Sequence, residues 1–256
     1  MTRRARLGLL WALLGASVLV TLLIPPIPQD QAYHRFADTR AMWGIPNALN
    51  VLSNVAFVLV GVLGLWSVWP GRSPGPVHFQ SVGEWWPYVV FFGGFALTGL
   101  GSAYYHLAPG NETLIWDRLP LAITLMGLFA ATIVERISVK AGLVLLGPLA
   151  LIGIMSVLCW AAGERRGHGD LRLYALVQFF PMLAVPLMAF LFPSRYTRGA
   201  DLVIVVVIYG LAKGFELLDA RLFTLGGVVS GHTCKHVVAA LSGYWLWRML
   251  IMRKPA

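Results

Sequence analysis

Eight strongly apolar segments, each roughly 20 residues long, constrain the fold of this chain more than any other feature. They cover about residues 7–27, 47–69, 86–107, 113–135, 138–160, 171–192, 200–218 and 227–251. A helix that crosses the hydrocarbon core of a bilayer needs about 20 mostly apolar residues, and these segments meet that length. The sequence therefore predicts an all-α integral membrane protein that spans the bilayer eight times.

The composition favours the same class. Hydrophobic residues make up 58% of the chain and charged residues only 12%, about half the charged share of a soluble domain. The formal net charge is +9, but the basic residues are scattered between apolar segments. A nucleic-acid partner is therefore not expected, because it requires a clustered basic face. Cys159 and Cys234 lie far apart within apolar segments, so they imply no disulfide framework.

The segments predict four regions along the chain. Residues 1–28 form an N-terminal transmembrane helix, a possible signal anchor, because Arg3, Arg4 and Arg6 precede its apolar run and Ile24–Pro28 offers no small-residue cleavage site. Residues 29–46 form an extracytoplasmic connection. Residues 47–251 form a bundle of seven helices, and short connections favour antiparallel neighbours in it. Residues 252–256 form a cytoplasmic tail.

The Lys and Arg residues of the loops predict the orientation. With the N-terminus in the cytoplasm, eleven of these residues, among them Arg72, Arg136 and Arg253, fall on the cytoplasmic side and six on the other. Cytoplasmic loops carry the excess of positive charge, so both termini are predicted to be cytoplasmic. This topology also places His106, Asp117, His232 and His236 in the same extracytoplasmic layer.

Three of these residues are histidines near the ends of apolar segments. His232 and His236 are four residues apart, a spacing that places both on one face of a helix. His106 can supply a third imidazole from another helix. Three imidazoles and an open position form the ligand set of a catalytic zinc, and ionisable groups within membrane segments are functional-site candidates. We therefore predict a zinc site at His106, His232 and His236.

Two residues near these histidines are candidate catalytic groups. Ser102 lies one helical turn before His106, although a serine in a membrane helix also commonly bonds its own i−4 carbonyl. Asp117 could accept a proton from a metal-bound water, or cap a helix whose first turn contains Pro120. Arg118 could pair with Asp117 or point outward to the membrane interface.

Two further polar groups allow alternative interpretations. Asn50, Ser53 and Asn54 could brace the metal ligands as a second shell, or join helices through hydrogen bonds, which is the better interpretation for the amides. A charged patch near the end of segment seven is typical of an ion-pair network. It comprises Lys213, Glu216 and Asp219, with Lys235 on the next helix as a possible member.

In these motifs the sequence resembles the alkaline ceramidase family, and the wider superfamily of seven-helix membrane hydrolases that includes the adiponectin-receptor-like proteins. The shared pattern is Asn-x-x-Ser-Asn at Asn50–Asn54, Ser-x-x-x-His at Ser102–His106, a following Asp at Asp117, and His-x-x-x-His at His232–His236. The resemblance covers about residues 43–250. It implies seven core helices, with segment one as an extra N-terminal helix.

The resemblance also implies roles for individual residues. The three histidines would bind zinc, and Asp117 and Ser102 would assist catalysis. One departure concerns the calcium site that animal alkaline ceramidases carry before the first core helix. Residues 36–47 contain a single carboxylate, Asp38, and Ca²⁺ takes six to eight oxygen ligands, so we expect no comparable calcium site here.

Together these observations predict a zinc-dependent amidohydrolase of lipid metabolism that cleaves a linear amide, in ceramide or a related N-acyl lipid, within the membrane. A zinc-bound water would be the nucleophile, Asp117 its base, and Ser102 a donor to the oxyanion. Sphingolipid metabolism would be its setting if ceramide is the substrate. The sequence specifies neither the lipid headgroup nor the oligomeric state.

Two alternatives from other classes stay open. The first is a haem-binding membrane electron carrier. The second is a non-catalytic seven-helix receptor or scaffold with a structural zinc, which usually has four protein ligands. A transporter is disfavoured because the sequence lacks repeated, broken helices.

Overall fold

The computed structural model describes residues 1–69 and 79–256, and within these ranges the chain is helical with no strands. Arg72, which the charge count includes, lies outside them. The helices are α1 (Arg3–Leu23), a 3₁₀ turn (Gln31–His34), α2 (Ala48–Leu52), α3 (Val55–Val68), α4 (Trp86–Leu107), α5 (Asn111–Arg136), α6 (Val139–Glu164), α7 (Arg172–Leu191), α8 (Asp201–Leu217), α9 (Asp219–Gly226) and α10 (Gly231–Met252). The prediction of an all-helical fold is confirmed.

Five helical stretches are long and apolar enough to cross a membrane. They are Arg3–Leu23, Ala48–Val68, Asn111–Arg136, Val139–Glu164 and Arg172–Leu191. Helix α8 has 17 residues, while α4 and α10 carry glycine, aromatic or charged residues among the aliphatic ones. Large apolar side chains such as Leu59, Leu151 and Phe190 point away from the protein. Such surfaces are compatible with lipid around the bundle.

Helix α5 lies centrally and packs against α4, α6 and α7, while α10 packs against α3 and α8. Small residues allow these helices to approach closely. A Cβ atom on Gly61 would lie 2.5 Å from the backbone nitrogen of Ala96, and one on Gly94 would lie 3.1 Å from the carbonyl oxygen of Pro120. Helix α1 buries none of its residues and lies against α7.

The last predicted segment, 227–251, begins in a turn and not in a helix. Helix α9 ends at Gly226, and the next residue, Gly227, caps it with a φ of 65°, a left-handed conformation that glycine adopts readily. Helix α10 then begins at Gly231, because the side chain of Ser230 accepts a hydrogen bond from the backbone N–H of Thr233. The segment therefore becomes helical only at Gly231, one residue before His232.

The end of the bundle opposite the three histidines is held by buried charges. Arg253 is 1% exposed and forms an ion pair with Glu135, which also accepts a hydrogen bond from Tyr88. Arg136 donates to the carbonyl oxygens of Phe192 and Gly199. The charge count treats Arg136 and Arg253 as loop residues, whereas both are buried and hold helix ends together.

Candidate metal centre

The structure brings the three predicted histidines into one buried cluster. The Nε2 atom of His106 lies 3.3 Å from Nε2 of His236 and 3.3 Å from Nε2 of His232. Their exposed fractions are 1% for His106, 2% for His236 and 4% for His232. The prediction that these three histidines meet is therefore confirmed, and their arrangement could hold a metal ion. That they bind zinc stays a prediction.

Local backbone geometry explains why the histidines meet. His232 and His236 lie one turn apart at the start of α10 and point the same way. Gly231 packs directly on the carbonyl oxygen of Phe215 and on the backbone of Asp219, where a Cβ atom has no room. His232 is therefore drawn against the end of α8, and the N-terminus of α10 is fixed there.

A similar close approach places α4 beside α5. Gly101 packs on the carbonyl oxygen of Trp116, again with no space for a Cβ atom. This contact brings Ser102, the next residue, beside Asp117, and both residues line the same cavity. His106 follows one turn later, and its carbonyl oxygen accepts a hydrogen bond from the side chain of Asn47 at 2.8 Å.

The spacing of the nitrogen atoms fits a small metal ion. Zinc binds imidazole nitrogen at about 2.0–2.1 Å in a tetrahedral arrangement, which separates two ligand nitrogens by about 3.3 Å. The two separations from Nε2 of His106, to Nε2 of His232 and to Nε2 of His236, are both 3.3 Å and match this value. Imidazole nitrogens that face each other in a dry site need a cation or shared protons between them. In the structure the ammonium of Lys235 also lies 2.9 Å from Nε2 of His232.

Polar residues of α2 and the α2–α3 junction support the cluster. The hydroxyl of Ser53 lies 2.8 Å from Nδ1 of His236. Asn50 accepts a hydrogen bond from the hydroxyl of Thr233 at 2.8 Å, and Asn54 donates to the carbonyl oxygen of Asn50 at 2.7 Å. Ser53 thus contacts a histidine directly, whereas the two amides position the backbone and α10 around it.

The connection between α1 and α2 covers the cluster, a feature that the sequence analysis did not predict. The ring of Phe36 lies 4.6 Å from that of His106 and 4.7 Å from that of His232, measured between centroids. Asp219 accepts hydrogen bonds from the backbone N–H groups of Ala37 and His232. The carboxylate of Asp219 therefore links the α1–α2 connection to helix α10. It does not form an ion pair with Lys213 or Lys235.

The rest of the predicted charged patch is an ion-pair network. Glu216 accepts from Lys213 and, at 3.0 Å, from Lys235. The hydroxyl of Tyr33 also donates to Glu216 at 3.1 Å. Burial and the negative charge of Glu216 raise the pKa of Tyr33 well above its ordinary value, so the phenol stays protonated and remains a donor.

A cavity of about 320 Å³ lies beside the cluster. Ser102, Asp117, Lys235 and His236 contribute polar groups to its wall, and aromatic residues such as Phe95 contribute much of the rest. Asp117 is only partly buried, since its carboxylate faces this cavity. A hydroxyl, a carboxylate and one imidazole of the cluster therefore face the same enclosed space.

Arg118 adopts neither of the predicted arrangements. Its guanidinium does not form an ion pair with Asp117 and does not reach outward to the interface. The side chain is 5% exposed and donates to Gln29 at 2.7 Å. It also contributes to the wall of the cavity.

No family model matches this chain, and no curated protein matches its sequence. Its function is therefore argued from the site.

Proposed function

We propose that this protein is a zinc-dependent hydrolase that cleaves the amide bond of an N-acyl lipid within the membrane. The observation that carries the proposal is the convergence of His106, His232 and His236 beside a cavity that Ser102 and Asp117 also line. A metal centre, a carboxylate and a hydroxyl in one apolar enclosure are the groups that amide hydrolysis needs.

The proposed architecture is a seven-helix bundle with one extra N-terminal helix. Helices α2 and α3 together form its first span, and α4, α5, α6, α7, α8 and α10 form the others, while α1 is the additional helix. The proposed orientation places both termini in the cytoplasm and the histidine cluster toward the extracytoplasmic side. The Lys and Arg distribution of the loops supports it.

Zinc bound by the three histidines would supply Lewis-acid chemistry, which polarises a carbonyl oxygen and activates water at neutral pH. The carboxylate of Asp117 would accept the proton of the attacking water and deliver it to the leaving nitrogen. The hydroxyl of Ser102 would donate to the negative oxygen that develops on the acyl carbon.

The shape of the enclosure supports a substrate with an acyl chain. A smaller pocket, lined by apolar residues such as Leu125, Leu128 and Val206, shares Phe95, Leu121 and Tyr209 with the walls of the cavity. This smaller pocket holds only about 30 Å³, so an acyl chain would extend from the cavity into the bundle only when the apolar side chains between the two spaces turn aside. Phe179 of α7 lines the cavity and is also exposed on the outer surface, so the chain could enter sideways from lipid.

The site geometry argues against both alternatives. A porphyrin needs room between two axial imidazoles, whereas one ring nitrogen from each of the three histidines lies within 4.8 Å of the others. A structural zinc usually has four protein ligands. Within the described part of the chain, the group contains three histidines and no fourth cysteine, aspartate or glutamate, which leaves one position open.

The decisive test incubates the purified full-length protein with a panel of ceramides and other N-acyl lipids and measures the free fatty acid released. Asp117→Asn should lower the rate by about 10²–10⁴-fold, because it removes the base but keeps the shape. Asp201→Asn is the matched control, since Asp201 pairs with Arg198 at the opposite end of the bundle. Equal release by wild type, Asp117→Asn and His232→Ala would refute the proposal, as would a Soret band of bound haem.

A further inference from the structure

The guanidinium of Arg118, a residue of the cavity wall, has unused hydrogen-bonding capacity. Only Nη2 donates to a protein acceptor, the side-chain oxygen of Gln29 at 2.7 Å. The buried Nε and Nη1 atoms have no partner among the described residues. A buried donor without an acceptor is costly, and more so when it is charged. Buried arginine nitrogens of Arg136 and Arg253 also lack partners, but Arg118 differs from them because it lines the cavity beside the histidines, where a ligand could supply the acceptor.

Three aromatic rings pack around the guanidinium of Arg118. Its central carbon lies 4.3 Å from the ring centroid of Trp160, 4.9 Å from that of Tyr174 and 5.6 Å from that of Tyr33. All three distances are within the range of cation–π contact, and such contacts restrain the guanidinium. A planar, preorganised arginine of this kind matches the two oxygens of a carboxylate or phosphate.

Two carboxylates near Arg118 are engaged by other groups, and the third, Asp117 on the same cavity wall, forms no ion pair with it in the described part of the chain. Glu164 accepts hydrogen bonds from Trp160 and from Asn111. Glu216 accepts from Lys213 and Lys235. Arg118 therefore has no carboxylate partner in the described part of the chain.

The charged side chains of the cavity wall carry a net positive charge, which attracts an anion. Three cationic side chains, Arg118, Lys213 and Lys235, face it together with two carboxylates, Asp117 and Glu216, a net charge of +1. A divalent metal at the histidines would add to this positive charge. Lys213 and Lys235 are paired with Glu216, so Arg118 is the cation on this wall without an ion-pair partner among the described residues, and a net positive wall attracts an anion.

We propose that Arg118 is a specificity-determining residue that binds an anionic group, carboxylate or phosphate, on the amine portion of the lipid. This inference rests on the proposed hydrolase function and narrows its substrate class. The acyl chain is apolar, so the anion belongs to the headgroup, as in an N-acyl amino acid or an N-acyl lipid with a phosphate. In the reaction the oxygen of water bonds to the acyl carbon, the C–N bond breaks, and the proton held by Asp117 moves to the leaving amine. The products are a fatty acid and an anionic amine.

The first experiment compares matched substrates on the purified full-length protein. N-oleoylglycine carries a carboxylate, N-oleoylethanolamine is its neutral counterpart, and the phosphate ester of N-oleoylethanolamine tests the other anion. Wild type should prefer at least one anionic substrate by about tenfold or more in kcat/KM, the value expected for hydrogen bonds to a charged group. Arg118→Gln should remove this preference, and Arg118→Lys should retain part of it because the charge remains. Arg165→Gln, which alters an exposed arginine paired with Glu112, should leave the preference unchanged.

A binding measurement separates this inference from the hydrolase proposal. N-oleoylglycine or the phosphate ester should raise the unfolding temperature of EDTA-treated protein more than N-oleoylethanolamine does, and Arg118→Gln should abolish that difference. Anion-dependent stabilisation without any hydrolysis would refute the hydrolase and retain the anion site. Equal binding and equal cleavage of charged and neutral lipids by wild type would overturn the role of Arg118, even if the Arg118 variants do not fold.

Discussion

The hydroxyl of Ser53 lies 2.8 Å from Nδ1 of His236 and 3.1 Å from the carbonyl oxygen of Asn50. A serine hydroxyl has a single proton, and the carbonyl can only accept it. Nδ1 of His236 must therefore donate to the serine oxygen, which leaves the lone pair of Nε2 directed at His106. Ser53 thus selects the imidazole tautomer that can bind a metal.

Ser53→Ala should weaken metal binding without removing a ligand. Loss of an outer hydrogen bond to a metal-binding histidine typically lowers affinity by about 10–100-fold. Zinc affinity measured by competition with a chelator should show this decrease. Ser67→Ala is the matched control, because Ser67 lies on α3 and bonds Trp247, away from the histidines. Unchanged zinc affinity in Ser53→Ala would contradict the assigned tautomer.

Removal of one imidazole should abolish tight metal binding. We expect about one zinc ion per chain in purified protein and less than a tenth of that in His106→Ala, since two imidazoles bind far more weakly than three. Elemental analysis after dialysis measures the ratio. His168→Ala should keep its zinc, because His168 is an exposed loop residue between α6 and α7. Equal zinc content in both variants would place the metal elsewhere.

The helical pattern of the sequence was sufficient to predict which histidine side chains share a helix face and which segments form helices. Helical spacing alone places His232 and His236 on one face, and apolar segment lengths predict the helices that carry them. The cover that Phe36 forms over the cluster was not predictable in this way. Residues 24–47 have no regular period, and their packing depends on contacts with distant residues such as Asp219.

The environment of Arg118 was also not predictable from the sequence pattern. Its partners Gln29, Trp160 and Tyr174 come from three separate parts of the chain, and no local pattern connects them. The burial of Arg136 and Arg253 was likewise not predictable from the pattern of charges, because long basic side chains at helix ends can turn inward to carbonyl oxygens or a carboxylate.

Gly101→Ala should disturb the site by separating α4 from α5. The added methyl group would meet the backbone carbonyl of Trp116, which cannot move aside as a flexible side chain does. Overpacking of this kind costs about 1–3 kcal/mol, and it shifts Ser102 relative to Asp117. We expect a lower midpoint of unfolding in detergent and slower lipid hydrolysis. Gly147→Ala on α6, where a Cβ atom has open space, should leave both unchanged, and the same behaviour in Gly101→Ala would contradict the argument.

Asp38 should make the cover over the histidines sensitive to acid. The side-chain hydrogen bond from Arg40 holds the pKa of this carboxyl below its ordinary value of 3.8. A carboxyl whose pKa is lowered on folding stabilises the folded state above its unfolded pKa, and this contribution disappears as the pH falls through the folded pKa. Asp38→Asn should therefore flatten the acid limb of a plot of unfolding temperature against pH.

A second carboxylate allows the effect on the metal centre to be separated from the effect on stability. The pKa of Asp170 is lowered in the same way, by a hydrogen bond from Arg172, but this pair anchors α1 to α7. The carbonyl oxygen of Asp38, in contrast, accepts a hydrogen bond from Asn50 beside the cluster. Asp38→Asn and Asp170→Asn should both flatten the acid limb of the plot of unfolding temperature against pH. Only Asp38→Asn should release zinc to a chelator at pH 7 faster than wild type does. Equal release rates in Asp38→Asn and Asp170→Asn would show that the cover does not control access to the histidines.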